Sequence, residues 1–275
     1  MTFLLAPPPT SPTPPASPAA EPLGVVLVHG MRQSSRTWAA QEAHLRRAGH
    51  AVAPVDLPGH GSRIRERFTL ARAHAVLDEA VASLPADLPV VVVGQSLGGY
   101  VTLGWAAGLS RAGTLGRLAG VVASGCSTDP LGKPVALYRG AADRVARTAA
   151  SVRARWGRGT PRPRTSPDGS TRPAWGLVTD ALGQLAGRSS LADLAAVRVP
   201  VWLVNGSRCH LRWQEQAHLR AAERGALVVV PRTGHDVQLE APQVYNRILS
   251  RALSDFTRRG ARAVAGDAEG ATLRA

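Results

Sequence analysis

Short runs of β-branched and other apolar residues recur along the chain, each followed by a stretch whose apolar positions fall at helical spacing. Gly24–Val28 (GVVLV) is the first such run, and residues 38–48 (WAAQEAHLRRA) follow it as a helix that stops at Gly49. Ala51–Val55 (AVAPV) predicts a second strand, ended by the turn residues Asp56-Leu-Pro-Gly-His-Gly61, and residues 69–84 predict a helix. Val90–Val93 is apolar at every position, as a parallel strand buried on both faces requires. A helix over 97–109 and a strand at Leu118–Ser124 follow. The pattern then resumes late in the chain with a strand at Val199–Val204, a helix near 212–224, a strand at Ala226–Val230 and a final helix over about 241–258.

Between 130 and 190 the rhythm breaks. Two helical stretches, near 133–156 and 174–187, flank the polar segment GRGTPRPRTSPDGSTRP. The alternation on either side predicts an α/β fold with a mostly parallel, doubly wound sheet of about six strands, built from 23–129 and 191–258. The insertion at 130–190 is expected above the carboxyl edge of the strands, where open sheets bind ligands. Residues 1–22 are proline-rich with no apolar face to bury and are read as an extended tail. Residues 259–275 are read as a frayed end.

Charge changes this picture little. The formal net charge is +14, and Lys133 is the only lysine; the arginines are scattered and aromatics make up 4% of residues. No nucleic-acid-binding motif accompanies them, so no specific nucleic-acid partner is expected, only loose attraction to anionic surfaces at low salt. The two cysteines, Cys126 and Cys209, are too few for a secreted disulfide framework and are read as buried thiols. The first residues, Met-Thr-Phe-Leu-Leu-Ala, lack a basic segment and a long apolar core, and no run approaches the roughly 18–20 apolar residues that span a bilayer. The expectation is a cytoplasmic protein with no membrane partner. No Cys/His cluster has metal-ligand spacing.

Three segments carry candidate chemistry. Gly94-Gln95-Ser96-Leu97-Gly98-Gly99 follows the all-valine run and opens a helix. A sharp strand-to-helix turn exposes the central hydroxyl and needs small neighbours, which fits a nucleophile; a tight turn with a capping serine is the alternative. Val28-His29-Gly30-Met31 ends the first strand, and the backbone N–H groups of Met31 and Leu97 are placed to form an oxyanion hole. There His29 is read as a brace. Thr233-Gly234-His235 follows the last strand, and His235 alone among eight histidines combines a strand end with late position, so it is the candidate base. His44, His50, His74 and His218 fall in or beside helical stretches and are read as surface residues, His60 as structural.

Together VVLVHG at 25–30, DLPGHG at 56–61, GQSLGG at 94–99 and TGHDVQLEAP at 233–242 resemble the α/β-hydrolase superfamily, in particular its small esterases with a helical cap. The resemblance implies Ser96 as nucleophile, His235 as base, Met31 and Leu97 as the oxyanion hole, residues 130–190 as the cap, no cofactor, and a small ester or thioester substrate. Leu137, Trp156 and Trp175 are possible pocket residues in that cap, and Arg139 and Arg144 its charged ones. The family's first two strands have no room before Gly24. The family's acid also fails to appear: in Val204-Asn-Gly-Ser-Arg-Cys209-His210, Cys209 holds its slot. Three readings stay open. Asp129, after the preceding strand, substitutes as the third catalytic residue; the Ser96–His235 pair works slowly without an acid; or hydrolysis is lost and the fold serves binding or a non-hydrolytic step. Asp236 and Glu240 are assigned no catalytic part. Substrate identity and oligomeric state are not fixed by the residues.

Overall fold

The computed structural model describes residues 21–131 and 175–272. Six parallel strands form one sheet: β1 (Gly24–Val28), β2 (Ala51–Val55), β3 (Val90–Gln95), β4 (Leu118–Ser124), β5 (Val201–Gly206) and β6 (Gly225–Val230), in the order β2-β1-β3-β4-β5-β6. The apolar runs predict it well. Every residue of β1, β3 and β5 is buried, whereas the edge strands β2 and β6 are partly exposed. Pro54, which cannot donate to a ladder, lies in the edge strand β2.

Alternate residues of each strand face opposite sides, so the valine-rich runs divide between two cores. Val26, Val28 and Val92 pack with Leu77 of α2 (Leu70–Ser83) and with Val101 and Leu103 of α3 (Leu97–Ala112). Val25, Leu27, Val91 and Val93 pack instead with Leu45 of α1 (Ala39–Arg47) and with Tyr245, Leu249 and Phe256 of the last helix. Burying both faces of these strands is the main apolar gain of the fold, and only a sheet covered by helices on both sides achieves it.

Further helices are α4 (Trp175–Ala186), α5 (Ser190–Ala196), α6 (Glu215–Ala221), the short α7 (Val237–Glu240) and α8 (Pro242–Thr272). Of the 130–190 insertion, the second expected helix is present as α4, and its Ala181 and Leu185 join the core over α2 and α3. The helix expected at 133–156, with Leu137, Arg139, Arg144 and Trp156, lies outside the described residues, as does nearly all of the proline-rich tail. The last helix does not stop near 258 but continues to Thr272; its later turns are rich in alanine, the strongest helix former, which outweighs the three glycines there.

Because β2 lies on one side of β1 and β3 on the other, the chain reverses its winding between β1 and β3. The carboxyl ends of those two strands, at His29-Gly30 and at Ser96, flank the crevice that such a reversal opens.

Candidate active site

Ser96 occupies a backbone state that side chains rarely adopt, with φ 52° and ψ −115°. It sits at the N-terminus of α3, yet its side chain makes no capping hydrogen bond. Capping therefore does not account for the serine, which is largely buried, and the strained turn is the arrangement that holds a nucleophile at a strand end. The glycines around it answer to close backbone approach. A Cβ on Gly94 would come 2.4 Å from the carbonyl oxygen of Gly98, and one on Gly98 would come 2.4 Å from that of Val28. The Ser96 N–H donates to the Ser124 carbonyl at 2.8 Å, tying the turn to the end of β4.

The loop after β1 presses on this turn: a Cβ on Gly30 would lie 3.2 Å from Ser96 Cβ. Its amides are nearly all committed. Gly30 N–H donates to Gln33 Oε1 (3.3 Å), Arg32 N–H to His60 Nε2 (3.1 Å) and Gln33 N–H to the Gly30 carbonyl (3.3 Å). The amides of Met31 and Leu97 donate to no acceptor among the described residues. These are the two groups expected to receive an oxyanion.

His29 braces the loop as its position suggests: its Nε2 accepts the Leu57 N–H at 3.0 Å, and Nδ1 donates to the Gly30 carbonyl at 2.8 Å. His60 is fully buried, its ring 4.8 Å from that of His29. Burial holds its pKa down at about 3, so the ring stays neutral and accepts the Arg32 amide.

His235 follows β6 in a loop fixed from inside and outside. Glu240 of α7 accepts the N–H of Gly234 at 2.7 Å and of Asp236 at 3.3 Å, one on each side of the histidine. A Cβ on Gly125, the residue after Ser124, would come 3.1 Å from the His235 ring. Gln95, beside Ser96, donates from Nε2 to Asp236 Oδ1 at 2.9 Å. The histidine loop is thus seated on the two segments that hold the serine.

Nδ1 of His235 faces the Cys209 sulfur at 3.1 Å, the side on which a triad carries its acid. Burial pushes the Cys209 thiol pKa up, so the thiol is neutral. Burial also pushes the His235 pKa down, while the Asp236 charge pulls it back up. His210 lies over the same imidazole, with ring centroids 4.5 Å apart. Cys126 and Cys209 are both free and buried.

Asp129 is not brought to the histidine. Its carboxylate accepts from Ser189 Oγ (2.7 Å), Ser190 N–H (3.0 Å) and Leu131 N–H (3.2 Å), and its own N–H donates to Gln214 Oε1. Ser190 in turn donates to His218 Nε2 at 2.9 Å. Asp129 therefore caps α5 and ties the return of the insertion to the sheet edge. Asp129→Ala should lower stability by about 2 kcal/mol, the loss of a cap with buried donors left unmet, and leave the pH dependence of any turnover unchanged. Chemical denaturation beside a pH–rate profile checks both.

Two of the histidines read as surface residues are buried: His218, in this network, and His50, whose Nδ1 accepts the Leu23 N–H at 3.2 Å. Helical spacing alone does not reveal a partner supplied from another element. Gln33, Gln95 and Asp236 carried no signal of their own; Gln95 and Asp236 adjoin the recognisable Ser96 and His235, and Gln33 lies two positions past Met31.

The family model described as "Alpha/beta hydrolase family" matches residues 25–248. The chain belongs to the alpha/beta hydrolase family. It is 36% identical over 80 residues to norfluorocurarine synthase 1 of Strychnos nux-vomica, covering 28% of this chain and 30% of that protein. It is 40% identical over 77 residues to salicylic acid-binding protein 2 of Nicotiana tabacum, covering 27% and 30%. The chain thus spans about a third of the length of the curated relatives it matches. The structure of a thermophilic esterase from Thermogutta terrifontis superposes with a TM-score of 0.65 over 85% of this chain and 90% of that one, at 23% identity, a likeness of fold.

Proposed function

We propose that this protein is a serine hydrolase acting on a small ester or thioester, with Ser96 as nucleophile and His235 as base. The observation that carries this reading is the strained Ser96 turn between two uncommitted amides, those of Met31 and Leu97. Ser96 Oγ would attack the carbonyl carbon while His235 takes its proton. The carbonyl oxygen, now an anion, would be held by the two amides and by the N-terminus of α3. The same proton then goes to the leaving alcohol or thiol, and water releases the acyl group by the reverse sequence. In this reading the 130–190 insertion has the part of the cap.

Cys209 makes the base weak. If its S–H donates to Nδ1, the imidazole proton resides on Nε2 and the ring cannot accept from serine. Only the other tautomer, with Nδ1–H directed at sulfur, is competent, and a neutral thiol does little for the imidazolium that forms. Turnover is accordingly expected to be slow, on substrates with good leaving groups.

A fluorophosphonate probe tests the assignment. Peptide mapping should place the adduct on Ser96, and His235→Ala should slow its formation on the order of 10²-fold or more. A folded protein that takes up no probe would remove the hydrolase reading. The Cys209–His235 contact also favours a second reading, a hydrolase fold kept for binding or a non-hydrolytic step; a saturable small ligand bound with no turnover of activated esters would establish it.

A further inference from the structure

One oxygen joins three parts of the site. Asp236 Oδ1 accepts from Gln95 Nε2 at 2.9 Å and from Gln33 Nε2 at 3.0 Å. Gln95 precedes the nucleophile and also donates, more weakly, to the His235 carbonyl at 3.4 Å. Gln33 closes the oxyanion loop through its acceptance of the Gly30 N–H. The two glutamines are buried and the carboxylate is half-buried, so both contacts are short, charge-assisted bonds shielded from water. The residue after the base thus fixes, through one carboxylate, the strand end carrying the serine and the loop carrying an oxyanion donor.

We propose that Asp236 is the positioning residue of this site: it locks the nucleophile, base and oxyanion segments together, and its negative charge supports the His235 imidazolium in place of the acid absent at Cys209. The inference rests on the serine-hydrolase reading above. The other charges around the ring do less. Cys209 is neutral; Glu240, bound to the amides of Gly234 and Asp236, adds a smaller effect of the same sign as Asp236; Glu215 is bound by Arg212 and Asn205; and His210, tilted against the ring, opposes a positive imidazole. Asp236 acts across space and through the backbone it anchors, with no hydrogen bond to the imidazole.

Two variants separate the clamp from the charge. Asp236→Asn keeps an acceptor for the two glutamines and loses the charge; Asp236→Ala loses both. With an activated p-nitrophenyl ester, Asp236→Asn should lower kcat about tenfold with little change in KM, and move the acidic limb of the profile down by roughly one pH unit. Asp236→Ala should show the same shift and a further fall in fluorophosphonate labelling, because the oxyanion loop is released. NMR titration of His235 in wild type and Asp236→Asn reads the charge effect without needing turnover. A wild type that neither labels nor turns over would overturn the hydrolase reading. A labelled wild type whose Asp236→Asn variant keeps the His235 titration and the pH limb in place would overturn the role of Asp236 alone. If Asp236→Ala is too unstable to assay, the Asp236→Asn results decide.

Discussion

Replacing Cys209 by aspartate should raise kcat for activated esters about 10²-fold. The sulfur stands 3.1 Å from His235 Nδ1. A carboxylate on the same Cβ reaches slightly farther, toward a contact that is shorter for a charged acceptor than for sulfur. It can only accept, so it selects the tautomer with hydrogen on Nδ1 and leaves the Nε2 lone pair for the serine. It also stabilises the imidazolium, moving the acidic limb of the pH–rate profile upward. Loss of this acid in a working triad costs on the order of 10⁴ in turnover. A transplanted carboxylate should recover part of that, since the surrounding groups are fitted to sulfur. The Leu211 N–H, now 3.4 Å from the sulfur, is one donor ready to receive it. Burying a charge where the thiol was only 4% exposed should cost about 1–2 kcal/mol in stability. Steady-state kinetics of purified Cys209→Asp against wild type would decide the matter; unchanged turnover would mean that the Nδ1 side of the imidazole does not limit the reaction.

Acid should begin to destabilise the protein below about pH 6.5, before most carboxylates titrate. His60 is fully buried, with Nε2 accepting the Arg32 N–H and Nδ1 donating to the Pro58 carbonyl, so a second ring proton would face a donor. Its folded pKa, about 3, lies below the ordinary histidine value of 6.5. The unfolded chain therefore binds the proton more readily. The stability from keeping this ring neutral is complete above about pH 6.5 and is lost as pH falls toward 3, on the order of 4 kcal/mol for His60 over that range. Burial pushes His50, His218 and His235 down as well, adding losses of the same sign. Urea midpoints at pH 7.5 and 4.5 should differ strongly in the wild type. His60→Gln, which offers an acceptor to Arg32 but cannot titrate, should be less stable at pH 7.5 and lose less on acidification. An equal loss in both proteins would show that His60 is not a main source of the acid sensitivity. Since Arg32 adjoins Met31, the oxyanion loop is expected to loosen early in this transition.

Much of the fold was legible because its signal is local. Strands buried on both faces of a parallel sheet are apolar almost throughout, as Gly24–Val28, Val90–Val93 and Leu118–Ala123 are; the sheet they predict has the six strands found. The serine turn was legible for the same kind of reason, since Gly94 and Gly98 flank a residue at a sharp strand-to-helix corner. The acid was another matter. Asp129 followed the right strand and was a reasonable substitute, but α5 and its Ser189 and Ser190 donors occupy it. The final helix ran past its expected end because alanine propensity outlasted the apolar stripe.

The strands themselves, the strained serine and the histidine at a strand end are all written in residue type and short-range spacing, where steric limits and the alternation of faces act within a few positions. The assignment of partners is not. Asp236 meets Gln95 and Gln33 across 141 and 203 positions of chain, and His235 meets a sulfur where a carboxylate was wanted. Such pairs depend on which loops the sheet brings to one edge and on which donors burial leaves unsatisfied. Only the folded arrangement of α5, α7 and the strand ends settles that.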